Sequence, residues 1–179
     1  ERLRDLFKFE FFYPPREEFR RGIETELGRT DGQWSAHLRA GPKGIKTLIR
    51  RFQPPVGHAA LLPFVEAYTV VFEQLVRLKD GEALDRAACV EQGLVAGRQA
   101  YMLRRISSEA SIGKILFENG YTLASHLGLA GTTNPDISAR RRAMLTDLRA
   151  LTRRMERMRI EVLEMAEHDH LRQQAEELA

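Results

Sequence analysis

The chain has 179 residues with 43% hydrophobic content, enough to bury one real core, so a single domain over residues 1–179 is the natural expectation. Lys and Arg total 28 against 25 Asp and Glu, and a net charge of +3 argues against nucleic acid as a partner. The one cysteine, Cys89, excludes an internal disulfide and a cysteine-rich zinc site.

Apolar patterning is already present at Leu3, Leu6, Phe7 and Phe9, so the natural start of the protein is expected upstream of Glu1. The run Phe7-Lys8-Phe9-Glu10-Phe11 alternates as a half-buried strand would, with helix as the alternative. Pro14 and Pro15 stop this element, and Phe19, Ile23 and Leu27, four apart, predict a helix over residues 16 to 27. Between Gly28 and Gly57 there are five glycines and three prolines, which predicts a long loop-rich connection with one short helix around Gly44 to Phe52.

His58 to Leu78 is the most apolar segment, with Glu66, Glu73 and Arg77 on one narrow helical stripe. It is long enough to span a bilayer, but two Glu, a Gln and Pro63 would be costly in hydrocarbon, so it reads as a core helix. Lys79-Asp80-Gly81 is a turn. Ala83 to Arg105 is helical in pattern, and Gly93 and Gly97, four apart on one face, predict close helix packing. Cys89 falls inside this stretch and reads as a buried structural thiol.

Ser107 and Ser108 offer an N-cap for a helix whose buried face is Ile112, Ile115, Leu116, Leu123 and Leu127 and which ends at Gly128. Thr132 to Ser138 is a loop in which Asn134-Pro135 can cap and open a final helix. That helix carries Met144, Leu148, Leu151, Met155, Met158, Val162 and Met165, a heptad seam that packs lengthwise against another helix or a second copy of the chain. The expected fold is mainly α: a helical bundle-like domain with a long heptad-patterned C-terminal helix and one short strand near the N-terminus.

The final helix gathers eight Arg from Arg140 to Arg159 and six acids from Glu161 to Glu177, opposing its own dipole at both ends. Arg140, Arg141, Arg142, Arg153 and Arg154 are therefore candidates for contact with an anion or a membrane surface, with plain solvation as the alternative. Further cations cluster at Arg50-Arg51 and Arg104-Arg105, without the aromatic interleaving that single-strand stacking needs.

No catalytic set emerges. His168-Asp169-His170 invites a metal reading, but alternate residues on a helix diverge by about 200°, so a solvated helix end is preferred and neither metal nor cofactor is expected. There is no glycine-rich phosphate loop, nucleophile elbow or Ser, His and Asp set.

Three stretches, in order, resemble the C-terminal region of the bacterial and mitochondrial membrane-bound glycerol-3-phosphate acyltransferases. They are Leu3-Arg4-Asp5-Leu6-Phe7-Lys8-Phe9-Glu10-Phe11-Phe12, Leu62-Pro63-Phe64-Val65-Glu66-Ala67-Tyr68, and Gly97-Arg98-Gln99 through Ile106-Ser107-Ser108-Glu109-Ala110-Ser111 to Lys114-Ile115-Leu116-Phe117.

The resemblance implies a parent enzyme that moves a fatty acyl group from coenzyme A or acyl carrier protein to the first hydroxyl of glycerol 3-phosphate, giving lysophosphatidic acid. It also implies a catalytic domain upstream as partner, and a place at the cytoplasmic face of the cell membrane. The family's base lies in a His-x-x-x-x-Asp motif. Here Pro42, Pro63, Gly131, Gln173 and Ala175 stand five residues beyond the histidines, so no histidine is carried over as catalytic. The alternative function is a helical interaction or self-association module without lipid chemistry, resting on the methionine-rich seam.

Overall fold

The computed structural model describes residues 2–52, 55–79, 81–132 and 136–177, with side chains described outside 55–59, 166 and 168–177. The order is α1 (Arg2–Leu6), α2 (Arg16–Thr30), α3 (Trp34–Arg39), α4 (Pro42–Phe52), α5 (Pro55–Arg77), α6 (Arg86–Met102), a 3₁₀ turn (Glu109–Ser111), α7 (Lys114–His126) and α8 (Ile137–Glu177). The protein is mainly helical, with no strand among the described residues.

The strand expected at Phe7–Phe11 is instead a turn that follows α1. The Phe7 N–H donates to Leu3 O, and those of Glu10 and Phe11 donate to Phe7 O. Phe7 and Phe11 both pack on Phe64, whereas Phe9 packs on His126. Phe7 is buried against Phe64 and Tyr68, at ring separations of 5.5 and 5.8 Å, whereas Phe9 and Phe12 are exposed.

The short helix expected around Gly44 to Phe52 is α4, Pro42–Phe52, but the loop-rich connection before it is corrected, because residues 34–39 are helical too. Its glycines join helices instead of replacing them. Gly41, at φ 71°, makes the left-handed turn between α3 and α4, and a Cβ on Gly44 would lie 1.8 Å from the carbonyl oxygen of His37. Only a residue without a side chain permits that approach. α2 runs three residues beyond its expected end, through Gly28 to Thr30, and Pro15 is its N-cap residue.

Two compact units result. The first comprises Glu1, Tyr13–Ala59 and Arg154–Ala179, and the second comprises Arg2–Phe12 and Ala60–Arg153. In the first unit, Asp31 caps α2, accepts from the Gln33 N–H at 2.9 Å and faces His37 and Arg51. Lys46 pairs with Glu161 at 2.9 Å, which raises the ammonium's pKa.

In the second unit, α5 is the central element: Val65, Ala67, Tyr68, Val71, Phe72 and Leu75 are fully buried, so it is covered nearly all round. Pro63 lies inside α5 without ending it. The turn at Gly81 (φ 85°) is closed by the Glu82 N–H on Lys79 O, and Asp80 lies outside the described residues.

α6 starts at Arg86, with Asp85 as its N-cap accepting from Ala88 N–H. Gly93 and Gly97 give the expected close packing, since a Cβ at either would stand 3.0 and 3.2 Å from the Phe117 ring of α7. Ser108 caps the 3₁₀ turn, and α7 starts later, after Gly113. Gly128, at φ 68°, follows α7 as expected. Along the α8 seam Leu148 and Met155 are buried and Met158 is exposed. The Asn134-Pro135 cap lies outside the described residues, as do the His168 and His170 side chains.

Candidate functional site

The most organised polar arrangement is in the second unit, around a carboxylate that helix pattern would place on a polar stripe. Glu66 of α5 is only 3% exposed. Its Oε1 accepts from the Ser107 N–H at 2.7 Å and the Ser107 hydroxyl at 2.8 Å, and its Oε2 accepts a short bond from the Ser111 hydroxyl. A buried carboxylate is expensive unless its lone pairs are met, and here three donors from one short segment meet them. Ser108 helps by accepting from the Ala110 N–H, which fixes the 3₁₀ turn that aims Ser111 inward.

A second carboxylate ties the chain's beginning to the same unit. Glu10 accepts from the Tyr68 hydroxyl and from Asn119 Nδ2, each at 2.9 Å. Tyr68 is one helical turn or less from Glu66, so the three stretches that carry the family resemblance meet at one stretch of α5, through Glu10 of the first stretch and Glu66 of α5 itself. Phe7, Phe64 and Tyr68 fill the apolar space beside them. Sequence reasoning placed Glu66 on a polar helical stripe and Ser107 at an N-cap, but gave none of Glu10, Glu66, Ser107, Ser111 or Asn119 as a candidate site residue. The signal available was that the first four lie within the quoted stretches.

The arginine candidates of α8 divide. Arg141 is buried, and its Nε and Nη2 donate to Leu129 O at 2.8 Å and Gly131 O at 2.9 Å. Arg140 is exposed and donates to Leu127 O at 3.0 Å. These carbonyls follow the C-terminal end of α7, so cations that oppose their own helix's dipole complement the end of its neighbour. Arg142, Arg153 and Arg154 are exposed.

Neither Glu10 nor Glu66 has a histidine among its hydrogen-bond partners given above, and no group of three His, Cys, Asp or Glu among the described residues could hold a metal ion. Cys89 is buried, and burial together with Asp85 pushes its thiol pKa up to about 11, the opposite of an activated nucleophile. No described helix is long and apolar enough to cross a membrane.

A family model described as the glycerol-3-phosphate acyltransferase C-terminal region matches residues 1–133. Relatives named "Putative acyltransferase plsB1", from Mycobacterium bovis and Mycobacterium tuberculosis, are 29% identical over 154 residues, covering 86% of this chain and 25% of each relative. The chain thus spans about a quarter of the length of the curated relatives it matches. No solved structure matches.

Proposed function

Because the chain belongs to the family of glycerol-3-phosphate acyltransferase C-terminal regions, we propose that it is a non-catalytic buttress for a catalytic domain upstream in the same protein. The parent transfers an acyl group from acyl-CoA or acyl carrier protein to glycerol 3-phosphate, yielding lysophosphatidic acid, the first step of phospholipid biosynthesis. The region acts as one C-terminal element over residues 1–179 and helps hold the enzyme at the cytoplasmic face of the cell membrane.

The observation that carries this reading is the Glu66 cluster. Its donors are spent on holding one segment against α5. The reading is tested by assaying acyl transfer to labelled glycerol 3-phosphate with the full-length protein, the protein lacking this region, and the Glu66→Ala full-length protein. Activity lost in the second and reduced in the third supports a supporting role. Full activity without the region rejects it.

A second reading, self-association through α8, is favoured by one observation. Met158, on the heptad seam, is 42% exposed, and Leu163 beyond it is 54% exposed. Sedimentation equilibrium separates the two: a stable dimer abolished by Met158→Glu supports the seam, and a monomer at all concentrations rejects it.

A further inference from the structure

We propose that the corner leaving α6 toward α7, residues 98–105, is the surface by which this region meets an anionic lipid bilayer. The proposal rests on the reading of the chain as part of an enzyme held at a membrane, and it assigns the contact to residues outside the α8 arginines.

Four observations converge on this corner. The first is its backbone. Leu103 caps α6, and Arg104 follows at φ 54°, with Arg104 N–H on Tyr101 O and Arg105 N–H on Ala100 O. This is the glycine position of a Schellman-type helix end. The other left-handed turns among the described residues hold Gly41, Gly81 and Gly128, and Arg104 is the one non-glycine with positive φ. A residue kept in a conformation that glycine would adopt more cheaply points to a use for its side chain.

The second is apolar exposure. Met102 and Leu103 are 82% and 67% exposed, in succession. Val95, 55% exposed, lies on the Met102 face at helical spacing, with Arg98 between them.

The third is charge. Arg98, Arg104 and Arg105 are exposed, and no acidic residue occurs between Glu91 and Glu109. The fourth is that two of the competing cations are engaged elsewhere, because Arg140 and Arg141 donate to carbonyls.

A bilayer surface meets both demands at once, since phosphate headgroups and acyl carbon lie within a side chain's reach of each other. A protein partner of ordinary size needs about 800 Å² per side with shaped pockets, whereas this corner is a short run of projecting flexible side chains flanked by cations.

The test is flotation of the whole chain with phosphatidylcholine vesicles, with and without phosphatidylglycerol. The chain is expected to float with the anionic vesicles and to float less with the neutral ones. Arg104→Gly should bind about fivefold more weakly, the cost of one surface cation, while its melting temperature rises because the backbone strain is relieved. Met102→Ser with Leu103→Ser should lose most binding with an unchanged melting temperature.

Wild-type binding by these variants, no flotation of the unaltered chain, or loss of binding caused only by Arg153→Glu with Arg154→Glu overturns the proposal. Acyl transfer in detergent micelles, where no bilayer is needed, should be retained by Arg104→Gly in the full-length protein. A failure there bears on the enzymatic reading and leaves the flotation result standing.

Discussion

Glu66 of α5 and Ser107 are 41 positions apart, and one carboxylate oxygen of the first accepts both the backbone N–H and the hydroxyl of the second. Ser111 completes the grip on the other oxygen. This pair converts the segment between α6 and α7 from a free connection into a fixed one, and it does so where two of the family-like stretches meet.

Replacing Glu66 by Ala leaves three donors without their acceptor, two of them hydroxyls that can turn to water and one a backbone N–H. The expected loss is about 3 kcal/mol of unfolding free energy, read by urea denaturation. Glu66→Gln keeps the shape and one acceptor oxygen, so it should lose less, about 1–2 kcal/mol.

Arg141→Met preserves most of the apolar stem and removes the donors to Leu129 O and Gly131 O. Two carbonyls then lose their partner, for an expected cost of about 2–3 kcal/mol. Arg142→Met, at an exposed position, should change stability by less than about 0.5 kcal/mol. Thermal melts of both variants give the comparison directly.

The expected helical character was readable because α5, α6 and α7 repeat apolar residues at helical spacing, and Gly93 and Gly97 announced the close approach that Phe117 fills. The errors have a common physical source. Gly41 read as a breaker and Gly44 as the start of a short helix, yet one supplies a tight turn and the other a backbone contact with His37, and pattern alone cannot tell a glycine that interrupts a helix from one that lets helices touch. Phe7, Phe9 and Phe11 alternate in sequence, but Phe64 takes Phe7 and Phe11 while Phe9 turns to His126. Ser108 was correctly a cap and was matched to the wrong element. The Glu66 cluster was not legible because its donors lie some 41 to 45 positions away.

Gly93→Ala tests the packing of α6 on α7. Alanine gains about 1 kcal/mol of helix propensity, but its methyl would stand 3.0 Å from Phe117 Cδ2 in a fully buried ring. Net destabilisation of about 1–2 kcal/mol is expected. Phe117→Leu should cost less in the Gly93→Ala background than alone, a coupling that a double-mutant cycle measures.

Cys89 gives a pH dependence with a definite sign. Its thiol is raised from 9.0 in the open chain to about 11 in the fold, so between those values the unfolded chain releases the proton first. Stability from this group is full below pH 9 and falls as pH rises toward about 11. Urea unfolding at pH 8 and pH 10 should show the decline, and Cys89→Ala should remove that share of it. Thiol labelling at pH 8 should be slow in the native protein and stoichiometric after unfolding.

The most direct test of the central claim is acyl transfer to labelled glycerol 3-phosphate by the full-length protein, by this region alone and by the protein without it, with both acyl-CoA and acyl carrier protein as donors. The account predicts activity in the full-length protein only. Undiminished activity in the protein lacking residues 1–179, or no activity from a well-folded full-length protein with either donor, would contradict it.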